Sequence, residues 1–175
     1  MTVPDYRRAV HAAYLMRKNY DTGQLLFDPF LPLSVEEKLR VCKFSTFCAN
    51  FGTWAEEYVR GASDDAFTVR INGGYVVCYN DTPRISPARR RFSLAHELGH
   101  YALQHHLNAE WEEKEADCFA RNLLAPRLFA IAHDVDFEDY QIVFGISAAA
   151  AQMCERMQFI DERIAEEVIG YSLPF

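Results

Sequence analysis

The run His96-Glu97-Leu98-Gly99-His100 sets two imidazoles and a carboxylate close together in the chain. On an α-helix four residues turn the chain by about 400°, so His96 and His100 would project from one face, one turn apart. Two neutral ring nitrogens at that spacing suit a single Zn²⁺. Glu97, about 100° round the helix from His96, would bring a carboxylate beside the metal, where it can take a proton from water. This is the pattern of a zinc peptidase. The plainer alternative is a helix with two structural histidines and a surface acid. Context opposes it: Phe92, Leu94, Ala95, Leu98 and Leu103 supply a packing face, and Gly99 costs helix stability unless something packs closely against it.

Zinc in a catalytic site takes a third protein ligand and leaves one position open. The acidic stretch Glu110-Trp-Glu112-Glu113-Lys-Glu115-Ala116-Asp117 offers several. As a helix its apolar stripe runs through Ala116, Phe119, Ala120, Leu123 and Leu124. Glu113 falls at the inner edge of that stripe, Glu115 about 100° from its centre, and Glu112 nearer Phe119. Asp117, one turn after Glu113, is placed to accept the second N–H of a ligating histidine. Some acids at a helix start simply complement its dipole, and Glu110 and Glu115 are read that way.

The elements that must position these groups are legible to different degrees. A helix is expected from Asp5 to about Tyr20, ended by Asp21-Thr-Gly23. Two prolines make 28–33 a loop. Ser34 with Glu37 forms a capping box, predicting a second helix to about Lys43. Phe67–Ile71 and Tyr75–Tyr79 are β-branched and aromatic, and Asn72-Gly73 between them is a hairpin signal. Ser86-Pro87 opens a helix that carries the histidines and runs on to about His105. Asn108 is expected to cap the acidic helix, which stops before Pro126. Gly145-Ile-Ser147 introduces an alanine-rich helix to about Met157, and 161–169 forms a last one. The fold class is α+β, mostly helical, with a small antiparallel sheet preceding the active-site helix. Residues 1–175 form one domain: N-terminal helices over 1–60, sheet and zinc-site helices over 61–126, and a C-terminal helical portion over 127–175.

Arg91-Phe-Ser-Leu-Ala-His-Glu-Leu-Gly-His100, followed by Glu113-x-x-Ala-Asp117-x-Phe-Ala120-x-x-Leu-Leu-x-Pro126, resembles the ImmA/IrrE family of metallopeptidases. Phe144-Gly-Ile-Ser147 with Arg156 downstream is similar to that family's C-terminal portion. The resemblance implies a zincin-like domain with His96, His100 and Glu113 on zinc and Glu97 catalytic. It also implies limited proteolysis of a helix-turn-helix transcriptional repressor, in phage, mobile-element or stress circuits. The other reading is a repressor-binding module that sequesters its partner around a structural zinc.

Further groups weigh less. His105, five residues past His100, is expected to face away from the zinc side, and His106, near the helix end, to complement the helix C-terminus. Arg84, Arg89, Arg90 and Arg91 oppose the dipole of the helix they begin; they form a solvated face or, more sharply, an electrostatic docking site. Tyr75, Tyr79 and Tyr140 can each donate to an oxyanion. Strand Tyr75–Tyr79 is expected to pair with a substrate main chain at a sheet edge. Residues 140–157 resemble half of a helix-turn-helix but hold few basic residues, which favours packing.

Composition sets the outer limits. Half of the 175 residues are hydrophobic and the net charge is −7, which fits a globular enzyme and disfavours direct nucleic-acid binding. The start lacks a secretory signal's apolar core, and no apolar run is long enough to span a bilayer. Five cysteines, at 42, 48, 78, 118 and 154, are widely spaced with no Cys-x-x-Cys pair. Neither disulfides nor a thiolate zinc site is indicated, and the cytoplasm is the compartment that fits.

Overall fold

The computed structural model describes residues 3–107 and 109–170. Helix α1, Tyr6–Asn19, is capped by Asp5, whose side chain accepts the Arg8 N–H. A short helix α2, Phe30–Val35, follows where two prolines suggested a loop. Pro29 precedes the helix and Pro32 lies within its first turn, where no N–H partner is lost. Ser34, read as a cap, lies inside this helix and donates to the Leu31 carbonyl. The residues after it form strand β1, Leu39–Lys43, rather than a second helix.

Helices α3, Phe44–Phe51, and α4, Thr53–Ala62, are separated by Gly52 at φ +67°. Strands β2, Ala66–Ile71, and β3, Gly74–Tyr79, form the expected hairpin. Asn72 and Gly73 both have positive φ, as a two-residue hairpin turn requires. The sheet order is β1-β3-β2, with β1 parallel to β3 from Leu39↔Tyr75 to Lys43↔Tyr79. The sheet is therefore mixed rather than purely antiparallel, and β3 is its centre. Strand pairing with a substrate at β3 is excluded, because β1 and β2 occupy both of its sides.

Helix α5, Pro87–Ala102, starts at Ser86, whose hydroxyl accepts the Arg89 N–H. Helix α6, Glu110–Leu124, begins after Ala109; the proposed cap Asn108 lies outside the described residues. Helices α7, Arg127–Ala132, and α8, Tyr140–Val143, lead to α9, Ala148–Ile169. α9 is one continuous helix where two were expected. Its Ser147 cap accepts the Ala150 N–H, and nothing between Met157 and Asp161 breaks a helix.

The main core joins Leu94, Ala95 and Leu98 of α5 to Phe119, Ala120 and Leu123 of α6 and to Ala9, Val10 and Ala13 of α1. A smaller core of Phe44, Phe47, Ala55, Phe67 and Cys78 lies between the sheet and α3–α4. The approach of α5 to α6 explains Gly99. A Cβ there would sit 3.1 Å from the Ala116 Cα and 3.1 Å from the Phe119 ring. The two helices that carry the candidate ligands thus meet backbone to backbone.

Candidate metal centre and catalytic cleft

α5 presents His96 and His100 on one face, and α6 brings Glu113 against them. The Nε2 atoms of His96 and His100 are 2.9 Å apart. Glu113 reaches 3.2 Å from the first with Oε2 and 3.5 Å from the second with Oε1. These donors form a group able to hold a metal ion. Tetrahedral zinc with N and O bonds of about 2.0–2.2 Å separates its ligand atoms by about 3.3 Å. The three observed separations bracket that value, and two nitrogens with one carboxylate are donors zinc accepts. The residues fit the ion.

Asp117 Oδ1 lies 2.9 Å from His96 Nδ1. A carboxylate there accepts the Nδ1–H; Nε2 then donates to Glu113, and a metal ion taking the place of that Nε2 proton would find the ring already oriented. Burial pushes the His96 pKa down, but the hydrogen bonds with Asp117 and Glu113 outweigh it and lift the value to about 9. His100 moves the other way, to about 4, through burial and then the charge of His96. The bond from His96 holds the Glu113 carboxyl below its usual range.

Glu97 is on the wall of the same cleft. Its Oε2 accepts from the Thr68 hydroxyl of β2 at 2.5 Å. Burial raises the Glu97 pKa, and the bond from Thr68 draws it part of the way back. A carboxylate whose proton affinity is raised toward neutrality suits proton transfer. The cleft has a volume of about 910 Å³, and His96, Glu97, His100 and Glu113 share its lining with Thr68 and Tyr75. Tyr79 and Tyr140 do not reach it: Tyr79 packs edge-on against Phe30, and Tyr140 is buried in the core. The free sheet edge beside the cleft is β2.

Three participants escaped the sequence reading. Thr68 carried no signal, because its partner is distant in the chain. His105 was expected to face away, but α5 ends at Ala102 and Gln104 takes φ +53°. The chain doubles back, the His105 N–H bonds the His100 carbonyl, and His105 Nδ1 comes to 3.0 Å from His100 Nδ1. Glu115, read as a dipole partner, is buried against His105 Nε2 at 3.1 Å. Glu110, by contrast, is an exposed acid paired with Lys114.

The arginine cluster is largely structural. Arg91 donates to the carbonyls of Phe27, Phe144 and Gly145. Arg89 pairs with Asp65, and Arg90 donates to the carbonyls of Asn80 and Thr82. The five cysteines are free thiols. Among the described residues no helix is long and apolar enough to cross a membrane.

A helical domain with a small sheet, two histidines one turn apart and a glutamate from the next helix define a metallopeptidase-like protein of the zincin type. Residues 45–153 match the model of peptidase family M78, the IrrE N-terminal-like domain, and the chain belongs to this family. No curated protein and no solved structure gives a significant match.

Proposed function

We propose that the protein is a zinc-dependent endopeptidase that makes limited cuts in a helix-turn-helix transcriptional repressor. One observation carries the catalytic part: Glu97 lines the same cleft as the His96, His100 and Glu113 donors, half-buried and held by the Thr68 hydroxyl. A structural metal site has no need of such an acid.

Zinc, when bound by His96, His100 and Glu113, would supply Lewis-acid polarisation of a water molecule or a peptide carbonyl. Glu97 takes the proton of the attacking water and later delivers it to the leaving amine. Thr68 keeps the carboxylate on the wall of the cleft in one rotamer. Asp117 keeps the His96 ring oriented. The outer edge of β2 is open to an extended peptide, which it can bind by main-chain pairing.

The substrate class follows the family resemblance of the two sequence motifs. The architecture supports limited cutting: an open cleft beside one strand accepts an extended segment, so a folded partner must present a flexible stretch. The proposed setting is the cytoplasm.

The test is incubation of zinc-loaded protein, and of its Glu97→Gln variant, with the repressor encoded nearest the gene and with unfolded casein, followed by mass spectrometry. One or two cuts in the repressor, absent with the variant, are expected. Repressor bound but uncut by the wild type would mean a sequestering module. Casein cut at many sites with the repressor intact would mean a scavenging peptidase.

A further inference from the structure

We propose that His105 and Glu115 are positioning residues of the metal centre, and that helix α1 supports them. The inference rests on the reading of His100 as a ligand. The side chains of His105 and Glu115 are 3% and 2% exposed. A carboxylate so deeply buried needs donors around it. Glu115 has His105 Nε2 at 3.1 Å and the Asp5 backbone N–H at 2.7 Å, with the charge of the Arg8 guanidinium 3.8 Å away.

Ligation through Nε2 fixes the order of protons along this chain. With His100 Nε2 on the ion, the one proton of that ring sits on Nδ1, which donates across 3.0 Å to His105 Nδ1. The His105 proton is then on Nε2, facing the Glu115 carboxyl at 3.1 Å. The opposite order would put a proton on Nε2 and close it to a metal. Asp117 sets the same tautomer on His96, but it is 56% exposed, whereas the support of His100 is enclosed.

The enclosure comes from α1. Arg8 also donates to the carbonyl of Leu103, the residue capping α5, so α1 clamps both Glu115 and the end of the ligand helix. Asp5 and Arg8 precede the 45–153 match. The N-terminal helix is thus a working part of the centre that the matched domain does not include.

The experiment measures zinc affinity by chelator competition, and the visible spectrum of the cobalt-substituted protein, in the full chain. His105→Phe should weaken zinc by about 10–100-fold and alter the cobalt spectrum. His105→Gln, whose carbonyl still accepts from His100 Nδ1–H, should recover most of the affinity. A merely structural role would lower the melting temperature of both variants alike and leave zinc affinity unmoved. Folded His105→Phe with wild-type zinc affinity overturns the proposal. If His105→Phe does not fold, Glu115→Gln takes its place: weaker zinc supports the proposal, and unchanged affinity overturns it. His100→Ala separates the two readings. Zinc retained in that variant removes the ligand assignment itself, whereas zinc lost there but unchanged in His105→Phe removes only the positioning role.

Discussion

Thr68 on β2 donates its hydroxyl to Glu97 on α5 across 2.5 Å, so the edge strand of the sheet and the acid of the ligand helix are tied directly. Glu97→Gln should keep fold and zinc and lose turnover by about 10²–10⁴-fold, the usual reach of general acid–base help. Thr68→Val should be milder, about tenfold in kcat. It also removes the one bond that lowers a pKa already raised by burial. The acid limb of the pH–rate profile should therefore move to higher pH. A profile unchanged in Thr68→Val would mean that the bond does not bear on the ionisation of Glu97.

His96→Ala, His100→Ala and Glu113→Ala should each remove most bound zinc, read by elemental analysis after dialysis. Glu115→Ala should weaken binding less than Glu113→Ala, since Glu115 touches the centre only through His105. If Glu115→Ala lost more zinc than Glu113→Ala, Glu113 would not be the third ligand.

Gly99→Ala would force a methyl group to 3.1 Å from the Ala116 Cα. The gain in helix propensity is about 1 kcal/mol, and the strain of overpacking costs about 1–3 kcal/mol. Net destabilisation in urea unfolding is expected, with weaker zinc binding as α5 and α6 part. A stabilised variant would show that the two helices can separate freely.

Glu112 gives a pH-dependent contribution to stability. Its carboxylate accepts the N–H groups of His106, Leu107 and Ala109 at 2.9, 2.9 and 3.1 Å. Burial raises its pKa, but these donors outweigh burial and lower it. A depressed folded-state value means that the contribution is complete above the unfolded value, about 4.3, and is lost as pH falls through the folded one. Glu112→Gln should cost about 1–3 kcal/mol at pH 7. The gap from wild type should narrow in acid; a gap independent of pH would exclude this origin.

Local signals account for what the sequence made legible. Ser86-Pro87 starts α5, Asn72-Gly73 turns the hairpin, and the stripe through Ala116 and Phe119 sets the phase of α6. That phase puts Glu113, not Glu115, beside His96 and His100. β1 stayed hidden because Ser34 and Glu37 imitate a helix start, and its pairing partner lies beyond α3, α4 and β2. His105 was misplaced for a different reason. Extending α5 to residue 105 carries the ring round the helix, and the left-handed Gln104 that returns it has no marker such as glycine. Thr68 and Glu115 act through partners fixed only by tertiary packing.

The parallel pairing of β1 bears on how the protein assembles. β2 reaches β3 through a two-residue turn, whereas β1 is joined to it only by closing a loop of roughly thirty residues, which is slower and costs more chain entropy. The hairpin can therefore form early, with β1 added after α3 and α4 have condensed on it. The sheet should open in the reverse order. In native-state hydrogen exchange, amides in the β1–β3 ladder should exchange before those of the hairpin, so the strand next to the cleft outlasts the strand behind it.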